Sequence, residues 1–129
     1  MDIHVVDMKT RKELYRLMHD DEVRCVSFHN DLIISASSDK SVRIWKKSTG
    51  EKLHSLVHED ECWNFDLSPN CAFIAVAQNK GVSIWSLASF KKVAELNLGV
   101  VSDVRFQTND KIIAALHEGH VYLIKLTEQ

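Results

Sequence analysis

The sequence predicts an all-β chain built from short antiparallel strands, and three observations carry that prediction. The segment Ser35–Trp45, SASSDKSVRIW, returns forty residues later as Ala75–Trp85, AVAQNKGVSIW, and more weakly over Ala114–Ile124. Val6, closing the run IHVV, stands thirty-nine residues before Trp45 and marks the end of an earlier copy. No window between turn residues keeps its apolar positions at helical three-to-four spacing. A repeat near forty residues has room for four short strands, which stack as the antiparallel blades of a β-propeller.

Taken in order, Ile3–Val6 and Glu13–Leu17 read as two strands joined by a polar connection. Val23–Phe28, Leu32–Ser37, Val42–Trp45 and Lys52–Val57 then form the first complete unit, with Asp39 and Lys40 at its hairpin. The run LIISAS mixes apolar and small residues on both faces, as expected of a strand covered on both sides. Cys62–Leu67, Phe73–Ala77, Val82–Trp85 and Lys92–Leu96 repeat the order. The single proline, Pro69, sits in the first turn of that second unit. Val101–Phe106, Ile112–Leu116 and Val121–Leu126 supply three strands of a last unit. The expected organisation is one partial propeller over 1–129. Residues 1–17 end one blade, and successive repeats occupy 12–46, 51–86 and 91–126.

Composition narrows the functional classes. Apolar residues at 45% and charged residues at 26% describe a globular chain. The longest apolar run, Ala72–Ala77, is far too short to span a bilayer, and no secretory leader pattern opens the chain. A net charge of −2 argues against general nucleic-acid binding. Cys25, Cys62 and Cys71 form no paired spacing and read as structural thiols of an intracellular protein, cytoplasmic or nuclear.

The repeats keep a common register. Leu14, Leu53 and Val93 each follow Val6, Trp45 and Trp85 by eight positions, and Leu17, Leu56 and Leu96 follow them by eleven. His19 and His58 follow Val6 and Trp45 by thirteen. Val23 and Cys62 come four later, then Val26 and Phe65 after three more.

These residues resemble the WD-repeat β-propellers. In that family a histidine before the inner strand, a Ser or Thr on the second strand, an Asp in the next turn and a Trp ending the third strand form a hydrogen-bonded chain. The resemblance implies that His19, Ser35 (or Ser37), Asp39 and Trp45 carry it in the first unit. His58 and Trp85 keep two of its members in the second, with Asn79 in the acid's place and Ala75 in the hydroxyl's. The third has Glu118 and Ile124 at the acid and tryptophan positions, and Asn97 or Leu98 where the histidine belongs. Lys46 and Ser86 replace the aspartate that names the family, which Asp7 alone matches.

About thirteen strands make roughly half of a closed ring, so the remaining blades come from a longer chain or from self-association. The family commonly closes its last blade with an N-terminal strand. That habit implies that Gln129 is a natural C-terminus and that Met1 cuts into a blade.

The loops before the inner strands and the second hairpins share one face. That face gathers Asp20, Asp21, Glu22, Glu59, Asp60 and Glu61, with Lys40 and Lys80 as partial offsets. The other gathers Lys9, Arg11, Lys12, Lys46, Lys47, Lys91 and Lys92. An acidic rim steers a basic peptide or protein surface. Arg24 and Trp63, at matching positions near the channel mouth, are residue types that dominate interaction hot spots.

The expected function is a non-catalytic protein-interaction scaffold without cofactor or metal. A narrower alternative implied by the resemblance is the substrate-recognition propeller of an F-box/WD ubiquitin-ligase adaptor. The alternative from another class is a thiol or metal hydrolase. It would use Cys62 beside His58, or His117 and His120, but these histidines straddle a glycine turn without the H-E-x-x-H spacing.

Overall fold

Alternation of apolar and polar residues between tight turns produces thirteen strands in the computed structural model, which describes residues 1–126. They are β1 (Asp2–Val6), β2 (Glu13–Met18), β3 (Val23–His29), β4 (Leu32–Ser37), β5 (Ser41–Lys46), β6 (Lys52–Val57) and β7 (Cys62–Leu67). β8 (Phe73–Gln78), β9 (Gly81–Ser86), β10 (Lys92–Asn97), β11 (Val101–Thr108), β12 (Lys111–Leu116) and β13 (Val121–Lys125) follow. The expected C-terminus at Gln129 lies outside the described residues.

Every pairing is antiparallel between sequence neighbours. β3–β6 form the four-stranded first blade and β7–β10 the second, while β11–β13 form three strands of a third. β1 and β2 pair only with each other and correspond to the outer two strands of a preceding blade.

The central strands of the first two blades are buried on both sides because a neighbouring unit covers each face. Ile34, Ala36, Val42 and Ile44 of the first blade pack against Cys62, Phe65, Ile74 and Val76 of the second. Ala75, Ala77, Val82 and Ile84 on the reverse face of the second pack against Val101, Val104 and Ile112 of the third. A smaller cluster of Leu17, Ile33 and Trp45 joins β2 to the first blade. Central strands such as LIISAS and FIAVAQ are therefore buried on both faces.

Leu17 and Leu56 are fully buried, whereas Leu96, eleven residues after Trp85, is 39% exposed. The indoles of Trp45 and Trp85 share clusters with Leu17 and Leu56, and Ile124 at the third such position is too small to give equal cover.

Candidate functional site

β4 and β5 present Ser35 and Trp45 on one face of the first blade, and the turn between them carries Asp39. Trp45 donates its indole N–H to Ser35 Oγ at 2.9 Å, and Ser35 donates to His19 Nε2 at 2.7 Å. His19 Nδ1 then donates to Asp39 Oδ2 at 2.8 Å. This direction uses each group as its chemistry permits, since indole only donates and a carboxylate only accepts. Burial alone would raise the Asp39 pKa. Hydrogen bonds from Ser41, His19 and the Asp20 amide outweigh it and hold the carboxyl well below its usual range. Burial lowers the His19 pKa more than Asp39 raises it. Ser37 instead donates to the carbonyl of Glu22, which ties the turn to the loop below it.

The second blade is wired differently, and two sequence expectations are corrected by strand register. Ile33 pairs with Trp45 and Ile74 with Trp85, so the counterpart of Ser35 is Val76 rather than Ala75. Ala75 points to the opposite face, against the third blade. The missing hydroxyl comes from Ser83, directly across from Val76 on β9. Trp85 donates to Ser83 Oγ at 3.1 Å and to His58 Nε2 at 3.0 Å, and Ser83 donates to His58 Nε2 at 3.1 Å.

Asn79 takes no part in that network. Between the pairs Ala36↔Val42 and Ala77↔Val82, the first hairpin has five residues and the second four. Counted from the paired alanines, Asn79 matches Ser38, and Lys80 falls where the first hairpin has Asp39. His58 Nδ1 donates instead to the carbonyl of Leu56 at 2.9 Å. Burial pushes the His58 pKa down to about 4, so both ring nitrogens keep the roles of a neutral imidazole.

The same register explains the face above the blades. Arg24 donates through Nε to Ser38 Oγ at 2.6 Å, and the matching Trp63 donates its indole N–H to Asn79 Oδ1. Asn79 in turn donates to Asp60 Oδ1 at 3.0 Å. Across the seam between the two blades, the Arg24 guanidinium lies 4.2 Å above the Trp63 ring. Backbone bonds from Ser38 to Glu22 and from His58 to Lys40 draw the surrounding loops together. Asp20, Asp21, Glu22 and Glu59 are exposed there, with Asp60 and Glu61 partly buried. Glu22 approaches Arg24 at 3.5 Å, Lys80 binds Glu59 at 3.2 Å, and Arg43 reaches both Asp20 and Asp39 at 3.5 Å.

Cys62 is fully buried, and burial pushes its pKa up to about 12, which keeps it a thiol at neutral pH. The His58 ring is taken up by Leu56, Ser83 and Trp85, so the two do not form a nucleophile and base. His117 and His120 are exposed in the hairpin between β12 and β13, and no cluster of three metal-ligating side chains occurs among the described residues. No helix there is long and apolar enough to cross a membrane.

Two further sets were invisible as single residues. Cys25, Asn64 and Asp103 recur at intervals of 39 and join the three blades through their inner strands. The Cys25 thiol donates to Asn64 Oδ1 at 3.1 Å, and Asn64 Nδ2 donates to Asp103 Oδ1. Ser41, which donates to Asp39, and Ser83, which joins Trp85 to His58, carry no sequence signal of their own, because a serine in a strand declares its partner only in the folded blade.

Four-stranded antiparallel blades stacked through apolar faces, one tied by a Trp–Ser–His–Asp chain, define a β-propeller repeat protein. The first full repeat is a WD repeat: the family model described as WD domain, G-beta repeat matches residues 11–46. It is 35% identical over 77 residues to the small ribosomal subunit protein RACK1 of Drosophila melanogaster, covering 60% of this chain and 24% of that protein. It is 25% identical over 116 residues to F-box/WD repeat-containing protein 4 of Mus musculus, covering 80% of this chain and 28% of the other. With WD repeat and SOCS box-containing protein 1 of Mus musculus the identity is 32% over 95 residues, covering 68% and 23%. The chain thus spans about a quarter of each of these relatives.

Proposed function

We propose that the chain is a non-catalytic protein-interaction platform, working as part of a larger array of blades. In this reading the face holding Asp20, Asp21, Glu22, Arg24, Glu59, Asp60, Glu61 and Trp63 receives a basic peptide or basic protein surface. The observation that carries it is the Arg24–Trp63 stack. It bridges two blades, orients an aromatic side chain on the face that carries these carboxylates, and has Glu22 3.5 Å from Arg24. Residues of these types, held in place before binding, give recognition at a small ordering cost. The carboxylates supply attraction and on-rate for a positively charged partner. An intracellular setting belongs to the same reading, supported by the free thiols and the ribosomal relative.

The test is titration of the purified chain with a labelled lysine- and arginine-rich peptide and an acidic control, at low and raised salt. The reading expects binding of the basic peptide alone, weakened by salt and by Glu61→Lys. Binding that ignores both salt and Glu61→Lys would overturn it. A second reading is the substrate-recognition propeller of an F-box/WD adaptor. It draws on the likeness to F-box/WD repeat-containing protein 4, which spans 80% of the chain. Sequence data for any polypeptide continuous with this one would decide between them.

A further inference from the structure

The three connections that lead into the outer strands are built alike. In the β1–β2 turn the Arg11 amide donates to the Asp7 carbonyl at 2.7 Å. The Gly50 amide donates to the Lys46 carbonyl at 2.7 Å between β5 and β6, and the Phe90 amide to the Ser86 carbonyl at 2.8 Å between β9 and β10. Arg11, Gly50 and Phe90 all take the left-handed conformation that closes the turn. One repeated contact joins neighbouring turns. The Tyr15 ring packs on Gly50 and its hydroxyl donates to the Lys47 carbonyl, while the matching His54 ring stacks on Phe90 with centroids 3.5 Å apart. The turns therefore stand side by side as one fixed row, on the face opposite the acidic rim.

That row is cationic and unpaired. It carries Lys9, Arg11, Lys12, Lys46, Lys47 and Lys91, and none of the six makes an ion pair among the described residues. On the rim, by contrast, Asp20, Glu22 and Glu59 are paired with Arg43, Arg24 and Lys80. Apolar side chains are interleaved with the free cations. Met8, in the first turn, is 92% exposed. Leu14, Leu53 and Val93, which recur eight positions after Val6, Trp45 and Trp85, stand where the outer strands begin and are 59%, 38% and 55% exposed. Leu53 belongs to a blade with a neighbour on each side, so its exposure comes from its position and not from an open edge.

We propose that this row of turns docks on an anionic lipid surface, with its lysines and Met8 at the level of the headgroups and the acidic rim turned away. Charge complementarity carries the argument, and the apolar side chains choose the partner. A headgroup layer offers negative charge and an apolar boundary together, which is what a cluster of cations beside exposed Met, Leu and Val side chains can use. A nucleic acid would use neither feature. Five of the six cations are lysines rather than guanidinium forks, and the one aromatic ring in the turns, Phe90, is already covered by His54. The inference concerns a different face from the rim and does not depend on what the rim binds.

Flotation of the purified chain with phosphatidylcholine vesicles, with and without about a third of phosphatidylserine, tests it. Binding should require phosphatidylserine and fade at raised salt. Lys9→Glu, Lys47→Glu and Lys91→Glu, one from each turn, should each weaken it by about tenfold. Lys40→Glu makes the same change in net charge on the opposite face and should stay within about twofold of the unaltered chain. Met8→Gln, at constant charge, should weaken binding by about threefold. Urea midpoints check that each variant folds. Where a reversal lowers the midpoint, the neutral change at that position (Lys9→Gln, Lys47→Gln or Lys91→Gln) should still weaken binding by about fivefold. Absence of binding to the phosphatidylserine vesicles, or an equal loss in Lys40→Glu, overturns the proposal. A loss confined to one turn overturns the row, and an unaffected Met8→Gln overturns the apolar contact. Tighter binding of an oligouridylate or a glutamate-rich peptide at the same salt would assign the cations to that class and overturn the lipid partner. Glu61→Lys should leave vesicle binding at full strength, so this inference and the rim reading fail separately.

Discussion

Trp63 hangs its indole N–H on Asn79, as Arg24 hangs its guanidinium on Ser38 in the preceding blade. The two contacts occupy one register position and meet across the seam as a cation–π pair. A single-residue shortening of the second hairpin therefore does two things. It removes the acid that would have held His58, and it leaves an amide that orients an aromatic residue on the face above.

Asp39→Ala and Asn79→Ala should accordingly differ in kind. Removing Asp39 strands the buried His19 Nδ1–H and takes the acceptor from the Asp20 amide and from Ser41. The expected loss is about 1–3 kcal/mol in denaturant unfolding. Asn79→Ala removes a partly exposed contact, so its cost should stay under about 1 kcal/mol while the Trp63 fluorescence changes. Equal losses in the two variants would show that the two hairpins are wired alike.

Ser35→Ala and Ser83→Ala make a second comparison. Trp45 has Ser35 as its acceptor, whereas Trp85 divides its N–H between Ser83 and His58. Ser35→Ala should cost about 1–3 kcal/mol because it leaves a buried indole donor without a partner. Ser83→Ala should cost about 1 kcal/mol or less, because His58 Nε2 still accepts. Urea midpoints at a common m-value would check the order, and a larger loss for Ser83→Ala would contradict the divided bond.

Architecture was legible because it is written in spacing. Trp45 and Trp85, His19 and His58, and Leu17 and Leu56 recur at nearly constant intervals, and each interval is one blade. The complete network of the first blade was legible for the same reason. Register inside the second blade was not, because two changes in loop length partly offset one another. A turn around Pro69 two residues longer and a hairpin at Asn79 one residue shorter leave Trp45 and Trp85 forty residues apart, yet the strand between them sits one position further along. That slip exchanged Ala75 for Val76 and Asp39's place for Ser38's, since neighbouring strand residues face opposite sides. The seam residues Cys25, Asn64 and Asp103 were hidden because a polar residue on an inner strand reads as surface until its neighbour blade is present.

Acid should loosen the second blade before the first network loses Asp39. His58 has its pKa depressed from 6.5 to about 4, so folding favours its neutral form. Its contribution is complete above the unfolded value and is lost as pH falls from 6.5 toward 4, reaching about 3 kcal/mol. His19, shifted in the same direction, adds to that loss. Asp39 is lowered as an acid, so its contribution persists above the ordinary carboxylate range and fades only at lower pH. Unfolding free energies between pH 7 and 4 should slope downward, and His58→Gln should flatten that slope. An unchanged slope in His58→Gln would remove His58 as its source.

Gly81 is the residue that lets the short hairpin close. Its φ of +144° lies outside the range that side chains adopt readily, and a Cβ there would fall 1.8 Å from the Leu96 carbonyl oxygen. That oxygen belongs to β10, and just past the strand the Leu98 amide donates to the Lys80 carbonyl across the same turn. The neighbour cannot yield as a flexible side chain would, so relief requires parting β9 from β10. The matching position in the first blade, the last residue of the longer hairpin, is Ser41, which carries a side chain at ordinary backbone geometry. Gly81→Ala should therefore cost more than about 2 kcal/mol, above the usual penalty for a strained backbone alone. Chemical denaturation would measure it, and amide exchange should show the loss concentrated in β9 and β10 while β4 and β5 stay protected. A near-neutral Gly81→Ala would mean that the second hairpin closes differently, and the account of Asn79 and Trp63 would fall with it.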